Sequence, residues 1–457
     1  MIKEIRIRNF KNFNDARLPL SRVTFLIGAN ASGKSNALEV LRFAGWMGHG
    51  DRLDDIERKL GKLDSIRGGV KDLFQARRKN ALATDGKGTL FEVPPARREF
   101  SIGIDVESGG NNYRYQQTIR NVEFRDHVRR LVVFEEELEV PGQRPPLFQV
   151  KTKEVPLDSD GISVAWNNYK KGGKKPIVTC SNRRAIFQQM KDDDRFGMKP
   201  GTSPVANAAR TMSMILDNIF FVSPETSKMR GYVQIHDGGR LDEDGANLSA
   251  VIYDVCKDEN TRKSLLRFIR SIPEQNILGI NFVKTSANDV MVALKEGFGA
   301  IRPTPASLLS DGTLRVLSIG AVLFSSPSGA TVVIEEVDNG IHPSRAEHLV
   351  KQIYDIAASR DIQVVMTTHN PALMDAVPKD ELPNVLCSYR DLKSHASDIR
   401  RLGELPQYLD LAMGSLGEAA TDRELERLVT DKRTEKELQE QRVAWLEDFM
   451  AGNGGAS

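Results

Sequence analysis

The sequence predicts an α/β protein with a mixed β-sheet lobe, a parallel core sheet flanked by helices, an inserted α/β region and C-terminal helices. Two observations predict the core. A β-branched strand at residues 23–27 runs into a glycine-rich loop, and a helical pattern follows at residues 36–43. Two further apolar strands, residues 331–334 and 362–366, each end in polar residues. Strands alternating with helices in this way are typical of a parallel sheet covered by helices.

Length and composition favour an ordinary globular protein. The chain has 457 residues, 40% hydrophobic and 28% charged, with a net charge of +2. This length suggests about three structural units, and near-neutrality argues against a polybasic, histone-like nucleic-acid binder. The three cysteines lie far apart, which favours reduced thiols over a disulfide framework. No signal-peptide core opens the chain and no apolar stretch is long enough for a bilayer, so we expect a cytoplasmic protein without membrane contact.

The remaining elements follow the hydrophobic pattern. Alternating residues 5–8 predict a first strand, and an Asn/Gly turn between residues 100–106 and 113–115 predicts a hairpin. Residues 129–134 predict another strand. The stretch 141–205, in contrast, is rich in loop-forming residues, and its function is not evident from the pattern.

Helical periodicity returns in the second half of the chain, at residues 206–218 and 246–268. Near the end, Thr421 and Glu424 have the spacing of a capping box. Apolar residues at helical spacing follow: Leu425, Leu428, Leu438, Trp445, Leu446 and Phe449. They predict one or two amphipathic helices, which either pack on their own domain or dock a partner.

Residues 28–35, Gly-Ala-Asn-Ala-Ser-Gly-Lys-Ser, match the Walker A motif GxxxxGK[ST] between a strand and a helix. The glycines allow successive N–H groups to point at phosphate oxygens, and the helix dipole adds positive potential. Lys34 is expected to reach the β- and γ-phosphates, and the Ser35 hydroxyl to ligate Mg²⁺. The motif predicts an ATP site with Mg²⁺ as cofactor. The predicted ATP-binding residues are Gly28, Asn30, Ala31, Ser32, Gly33, Lys34, Ser35 and Asn36.

Two carboxylates follow the apolar strand 331–334, the arrangement of a Walker B motif. We assign Glu335 to the metal and Glu336 to the attacking water, so that Glu336 is a predicted catalytic residue. A glutamate at the metal position is longer than the more common aspartate. His369 follows the next strand, residues 362–366, and is predicted to sense the γ-phosphate as a second catalytic residue.

Ser310, Asp311 and Gly312 stand at the start of an apolar helix. Alone they fit either an anion-binding helix N-terminus or an ordinary capped helix. With the motifs above, the chain resembles ABC-type ATPase heads of the RecF and SMC group, and most closely OLD-like ATPases. The resemblance implies an ABC-type P-loop ATPase head that hydrolyses ATP. It also implies that these three residues are the signature, which contacts the nucleotide of a second subunit.

Other segments carry the resemblance less completely. Residues 335–343 are similar to the family's Glu-Glu-Pro-Glu-Asn-Gly-Leu-His-Pro, with Val337 and Asp338 at the positions of the first proline and of the glutamate that follows it. Asp338 is therefore the candidate for the D-loop. Gln75 is the candidate for the Q-loop, from its position alone. The segment 241–248 resembles another recurrent family segment.

The resulting organisation has four parts. An N-terminal ATPase lobe with Walker A covers residues 1–140, and an inserted helical and loop-rich region covers 141–300. A C-terminal ATPase lobe at 301–410 carries the signature, Walker B and His369. A helical tail occupies residues 411–457.

The chain departs from its relatives in two ways. It has no long heptad run for a coiled-coil arm, and no Toprim carboxylate pattern follows His369. It thus resembles the ATPase subunits of the anti-phage systems PARIS and Septu. That resemblance implies an ATP-dependent homodimer or larger homo-oligomer, which senses and controls a separate effector, expected to be a nuclease.

Two alternatives remain open from the sequence. One is a RecF-like DNA-repair or recombination ATPase that clamps duplex DNA. Its nucleic-acid contact would be a lysine-rich loop formed by Lys170, Lys171, Lys174 and Lys175 beside Trp166 and Tyr169. The other is a small-molecule P-loop kinase, which needs neither the Ser-Asp-Gly segment nor His369.

Overall fold

The computed structural model describes residues 1–431 apart from short gaps, and residues 433, 437 and 440 beyond them. The gaps are residues 63–65, 76–81, 85–89, 93–98, 153, 236–238, 271–275, 298–301, 339–342 and 392–393. In the described part, no helix is both long and apolar enough to cross a membrane. Cys180, Cys256 and Cys387 are free thiols, as predicted.

The strands are numbered in chain order. They are β1 Ile2–Phe10, β2 Phe13–Pro19, β3 Val23–Ile27, β4 Leu82–Thr84, β5 Leu90–Glu92, β6 Glu99–Ser108, β7 Asn111–Glu123, β8 Arg129–Glu139, β9 Phe148–Val150, β10 Gly161–Trp166, β11 Ile177–Ser181, β12 Ile219–Val222, β13 Val233–Gln234, β14 Ile277–Lys284, β15 Asp289–Glu296, β16 Thr304–Pro305, β17 Thr331–Ile334, β18 Gln363–Thr367, β19 Leu386–Arg390 and β20 Ser397–Arg401.

The helices are numbered in the same way. They are α1 Lys34–His49, α2 Leu53–Lys59, α3 Ile186–Met190, α4 Pro204–Asp217, α5 Leu248–Val255, α6 Glu259–Arg270, α7 Asp311–Ser325, α8 Ala346–Arg360, α9 Pro371–Asp375, α10 Tyr408–Met413, α11 Leu416–Thr421 and α12 Glu424–Thr430.

One long mixed sheet organises the molecule, in the order β11-β10-β9-β8-β7-β6-β1-β2-β20-β19-β3-β18-β17-β12. Neighbours from β11 to β2 pair antiparallel. From β19 to β12 they pair parallel. The predicted α/β architecture, a mixed-sheet lobe joined to a parallel core sheet, is therefore confirmed.

The parallel strands are buried on both faces, which explains their continuous apolar runs. Val333 of β17 and Val365 of β18 contribute to one hydrophobic core, together with residues of α1 and α4. Their neighbours Val332 and Val364 point the opposite way, into a second core that includes residues of α7 and α8. Helices on both faces thus fix the strands, and the carboxyl ends of β3, β17 and β18 lie at one edge of the sheet.

The region predicted as one insert, residues 141–300, is divided among several units. Strands β9 to β11 extend the antiparallel part of the long sheet, β12 forms its other edge, and β13 to β15 belong to a smaller sheet with β16. The loop-rich composition concealed short strands such as β10, in which Ile162 and Val164 are buried. The helical pattern at 246–268 also forms two helices, α5 and α6, rather than one.

The C-terminal helices pack on the body of the protein. Thr421 is the last residue of α11, and α12 begins after Arg423 with its positive φ of 58°, so the predicted capping box is wrong. Tertiary contact with the core decides this boundary, because Leu425 and Leu428 are buried there. Leu438, Trp445, Leu446 and Phe449 lie outside the described residues.

Candidate nucleotide-binding site

The predicted phosphate loop joins β3 to α1 with a backbone that requires glycine. Gly28 and Gly33 have φ values of 142° and 116°, which side chains with a Cβ rarely adopt. The Lys34 ammonium folds back on the loop and donates to the carbonyl oxygens of Gly28 at 2.6 Å and Ala29 at 3.1 Å. Burial lowers the pKa of Lys34, and the nearby carboxylates of Glu336 and Asp338 oppose that shift.

A cavity of about 700 Å³ opens between this loop and the carboxyl ends of β17 and β18. The predicted residues Asn30 to Asn36, Glu335, Glu336 and His369 line it together. Gly28 instead lines an adjoining cavity on the other side of the loop. The fold thus gathers residues from both ends of the chain around one opening, large enough for a ligand of nucleotide size.

The two carboxylates after β17 occupy different environments. Glu335 is half-buried, and burial raises the pKa of its carboxyl group against the lowering effect of Arg42 and Arg67. Glu336 is exposed and has a φ of 48°. Its backbone N–H donates to Thr367 Oγ1 at 2.9 Å. This bond ties the end of β17 to the end of β18.

His369 and Asp338 are neighbours. The Nδ1 atom of His369 lies 3.8 Å from Asp338 Oδ2, and the Asp338 side chain is buried. The other carboxylate oxygen of Asp338 has no hydrogen-bond partner among the described residues. The D-loop candidate therefore lies directly behind the histidine that faces the cavity.

The cavity also contains residues that the sequence did not reveal: Asn12, Arg67 and Arg315. Arg67 is oriented by Glu39 of α1, whose Oε1 accepts from its backbone N–H at 3.2 Å and from its Nε at 2.9 Å. The two arginines give the cavity positive charge in addition to Lys34. No local pattern marks them, because their position depends on contacts between distant segments.

The other predicted residues lie apart from this cavity. Ser310 caps α7, accepting from Thr313 N–H at 3.2 Å, and both Ser310 and Asp311 are exposed. They do not line the cavity of their own chain. Gln75 also does not line it; its backbone N–H donates to Asn9 O at 3.0 Å. The structure therefore does not bring the Q-loop candidate to the other residues.

The donors around the cavity suit Mg²⁺. The Ser35 hydroxyl and the Glu335 carboxylate line the same cavity, and hard oxygen ligands are the kind that Mg²⁺ takes. Within the described ranges, no group of three or more His, Cys, Asp or Glu residues could hold a metal alone. Such an ion would therefore also depend on oxygens of the nucleotide and of water, as is usual for Mg²⁺.

Comparisons with known proteins found two matching family models and one similar named protein. Residues 1–45 match a family model described as "AAA ATPase domain". Residues 174–375 match one described as "AAA domain, putative AbiEii toxin, Type IV TA system". A Helicobacter pylori protein named ATP/GTP phosphatase is 22% identical over 382 residues, covering 82% of this chain and 87% of that protein. The loop, the cavity and these matches define a P-loop ATPase, so the protein binds and hydrolyses ATP.

Solved structures with some similarity include SMC heads. The SmcHead bound to the C-winged helix domain of ScpA is 12% identical, with a TM-score of 0.46 over 87% of this chain and 97% of that one. The SMC head domain from Thermotoga maritima is 16% identical, with a TM-score of 0.41 over 88% and 98%.

Proposed function

We propose that the protein is an ABC-type ATPase head that binds Mg-ATP in the 700 Å³ cavity and engages a second copy of itself through the nucleotide. The observation that carries this proposal is the convergence of the phosphate loop, Glu335, Glu336 and His369 on one opening. Phosphate-binding amides, a pair of carboxylates and a histidine at the ends of parallel strands are what triphosphate hydrolysis requires.

Each side chain has a distinct role in this proposal. The loop N–H groups and Lys34 bind the phosphates, so the ammonium leaves the carbonyls of Gly28 and Ala29 when nucleotide enters. Ser35 and Glu335 hold Mg²⁺, which neutralises phosphate charge when bound. Glu336 accepts a proton from the attacking water. His369, held beside Asp338, donates to the terminal phosphate.

The signature segment supports engagement of a second head. Ser310 and Asp311 are exposed at the N-terminus of a 15-residue helix and do not line their own cavity. Arg230 stabilises this end, because its guanidinium donates to Leu309 O at 2.7 Å and to Asp311 Oδ1 at 2.6 Å. Leu308, just before this end, is 74% exposed, so the segment is accessible to a second head.

We further propose that this ATP-dependent assembly is a sensor and scaffold for a separate effector, a nuclease, in bacterial anti-phage defence. The resemblance to the PARIS and Septu ATPases supports this role, as does the toxin–antitoxin description of the family model over residues 174–375. In the lysine-rich loop of the RecF-like alternative, Lys175 Nζ donates to Lys170 O at 3.0 Å, whereas the side chains of Lys170, Lys171 and Lys174 are exposed. We favour the sensor and scaffold role because of the two resemblances above, and measuring turnover with duplex DNA distinguishes it from the RecF-like alternative.

Glu336→Gln tests the catalytic assignment, because it removes the proton acceptor but keeps the shape of the side chain. We expect ATP binding to persist and turnover to fall about 100-fold or more. Turnover should be measured with and without duplex DNA. Strong stimulation by DNA would favour the RecF-like alternative, and unchanged turnover in the variant would remove Glu336 as the base.

Ser310→Arg tests engagement, since a large cation replaces the exposed signature serine. In a Glu336→Gln background with ATP, sedimentation velocity should show dimers for the parent and monomers for the variant. Ser328→Arg, an exposed position beyond the other end of α7, is the matched control and should still dimerise. ATP-dependent dimers of the Ser310 variant would contradict the signature assignment.

A further inference from the structure

The carbonyl oxygen of Ser32, within the phosphate loop, accepts two hydroxyl hydrogen bonds from a distant hairpin. Ser388 Oγ donates to it at 3.1 Å and Ser397 Oγ at 2.5 Å. Both serines are buried, with 1% and 2% of their surface exposed. They belong to β19 and β20, which pair antiparallel next to β3. No motif recognised in the sequence includes either serine.

A second set of bonds orients one of these hydroxyls. Asn36 Nδ2 donates to Asn12 Oδ1 at 2.7 Å, and Asn12 Nδ2 donates to Ser397 Oγ at 2.5 Å. Because the Ser397 oxygen accepts from Asn12, its own hydrogen is directed to the Ser32 carbonyl. The chain of donors begins in α1, immediately after Ser35, passes through the β1–β2 turn and ends in the loop.

The peptide between Ser32 and Gly33 converts this arrangement into a constraint on phosphate binding. In a trans peptide the C=O and the next N–H point in opposite directions. Holding the Ser32 carbonyl toward the hairpin therefore turns the Gly33 N–H away from it, toward the cavity. Gly33 makes the close approach possible, since a Cβ there would lie 2.7 Å from Ser397 Oγ.

We propose that Ser388 and Ser397 are positioning residues for nucleotide binding, which act by fixing the direction of the Gly33 N–H. This inference rests on the proposed function, in which the loop binds the phosphates. Without the hydroxyls, the Ser32–Gly33 peptide can rotate, and the N–H is no longer held toward the phosphate. The nucleotide then loses part of one charge-assisted hydrogen bond.

The test is the double variant Ser388→Ala/Ser397→Ala, together with each single variant. We expect the double variant to raise the KM for ATP and the Kd for a fluorescent ADP analogue about tenfold, as loss of a bond worth about 1.4 kcal/mol implies. The kcat should stay within about twofold, because Glu336 and His369 are not touched. Ser394→Ala, in the turn of the same hairpin and exposed, is the control and should leave both constants unchanged.

A merely structural role for the serines predicts a lower melting temperature with an unchanged Kd for the folded protein, and that result would overturn the proposal. If the double variant does not fold, the two single variants provide the test. Each should then raise the Kd for the ADP analogue by less than tenfold, and an unchanged Kd in both would overturn the proposal. Lys34→Ala distinguishes failure of the phosphate-loop assignment from failure of the positioning role of Ser388 and Ser397. If it leaves nucleotide binding unchanged, the phosphate-loop assignment itself fails. If it abolishes binding while the serine variants bind normally, only the positioning role is refuted.

Discussion

Glu39 connects the helix behind the phosphate loop to the wall of the cavity, and replacing it by methionine tests that connection. Only 7% of the Glu39 side chain and 9% of the Lys11 side chain are exposed, and the two form an ion pair. Lys11 Nζ also donates to Arg67 O at 2.7 Å. The same carboxylate orients the Arg67 guanidinium, which lines the cavity. One buried anion therefore holds two cations.

The burial of the pair sets the expected size of the effect. Removing one partner of a buried ion pair costs about 3–5 kcal/mol, because the other charge stays buried without compensation. Lys11 keeps one carbonyl partner, so we expect about 3 kcal/mol for Glu39→Met and a similar loss for Lys11→Met. The Arg67 side chain is 66% exposed, so its bond to Glu39 contributes less than about 1 kcal/mol.

The assay is urea unfolding of the two single variants and the double variant. Removing both charges leaves an apolar pair, so the double variant should lose much less than the sum of the singles, with a coupling energy of about 2 kcal/mol or more. Glu39→Met should also raise the KM for ATP, because Arg67 loses the carboxylate that orients it. The double variant should show the same raised KM, since it lacks that carboxylate too. Additive losses within about 0.5 kcal/mol would refute the reasoning.

Two further predictions concern a buried acid and the cavity. Burial raises the pKa of Glu136 from 4.5 to about 7. The folded state then binds more protons than the unfolded state between these values, so stability should fall as pH rises from about 5 to 7. Glu136→Gln should flatten this dependence in urea unfolding at several pH values, and an unchanged slope would contradict the assignment. Arg67→Ala should raise the KM for ATP about tenfold, through the loss of a cation facing the phosphates. Arg58→Ala, at an exposed position of α2, should leave the KM unchanged; equal KM values for the two variants would count against a role for Arg67.

Local, contiguous patterns allowed the core of the site to be predicted. The strand 23–27, the glycine spacing of 28–35 and the following helix are adjacent in sequence, so their geometry depends mainly on neighbours. The same holds for Glu335 and Glu336, which directly follow a strand buried on both faces. In these segments the residue pattern and the backbone conformation that it permits are enough to predict where the site residues lie.

Predictions that depended on distant contacts were less successful. The capping box at Thr421 failed because burial of Leu425 and Leu428 set the start of α12. The strands between residues 148 and 181 were missed because they have only three to six residues each, too few for a clear alternation, and lie among loop-forming residues. Gln75, chosen by position alone, does not reach the cavity.

The sequence by itself determined that a phosphate loop and two strand-end carboxylates exist, because each feature is formed by consecutive residues. Only the tertiary structure decided which other groups join them. Arg67 faces the cavity through a buried carboxylate in α1. Ser388 and Ser397 reach Ser32 only because β19 lies beside β3, although more than 300 residues separate them in the chain. Such contacts depend on the closure of long loops and on packing, which no local pattern records.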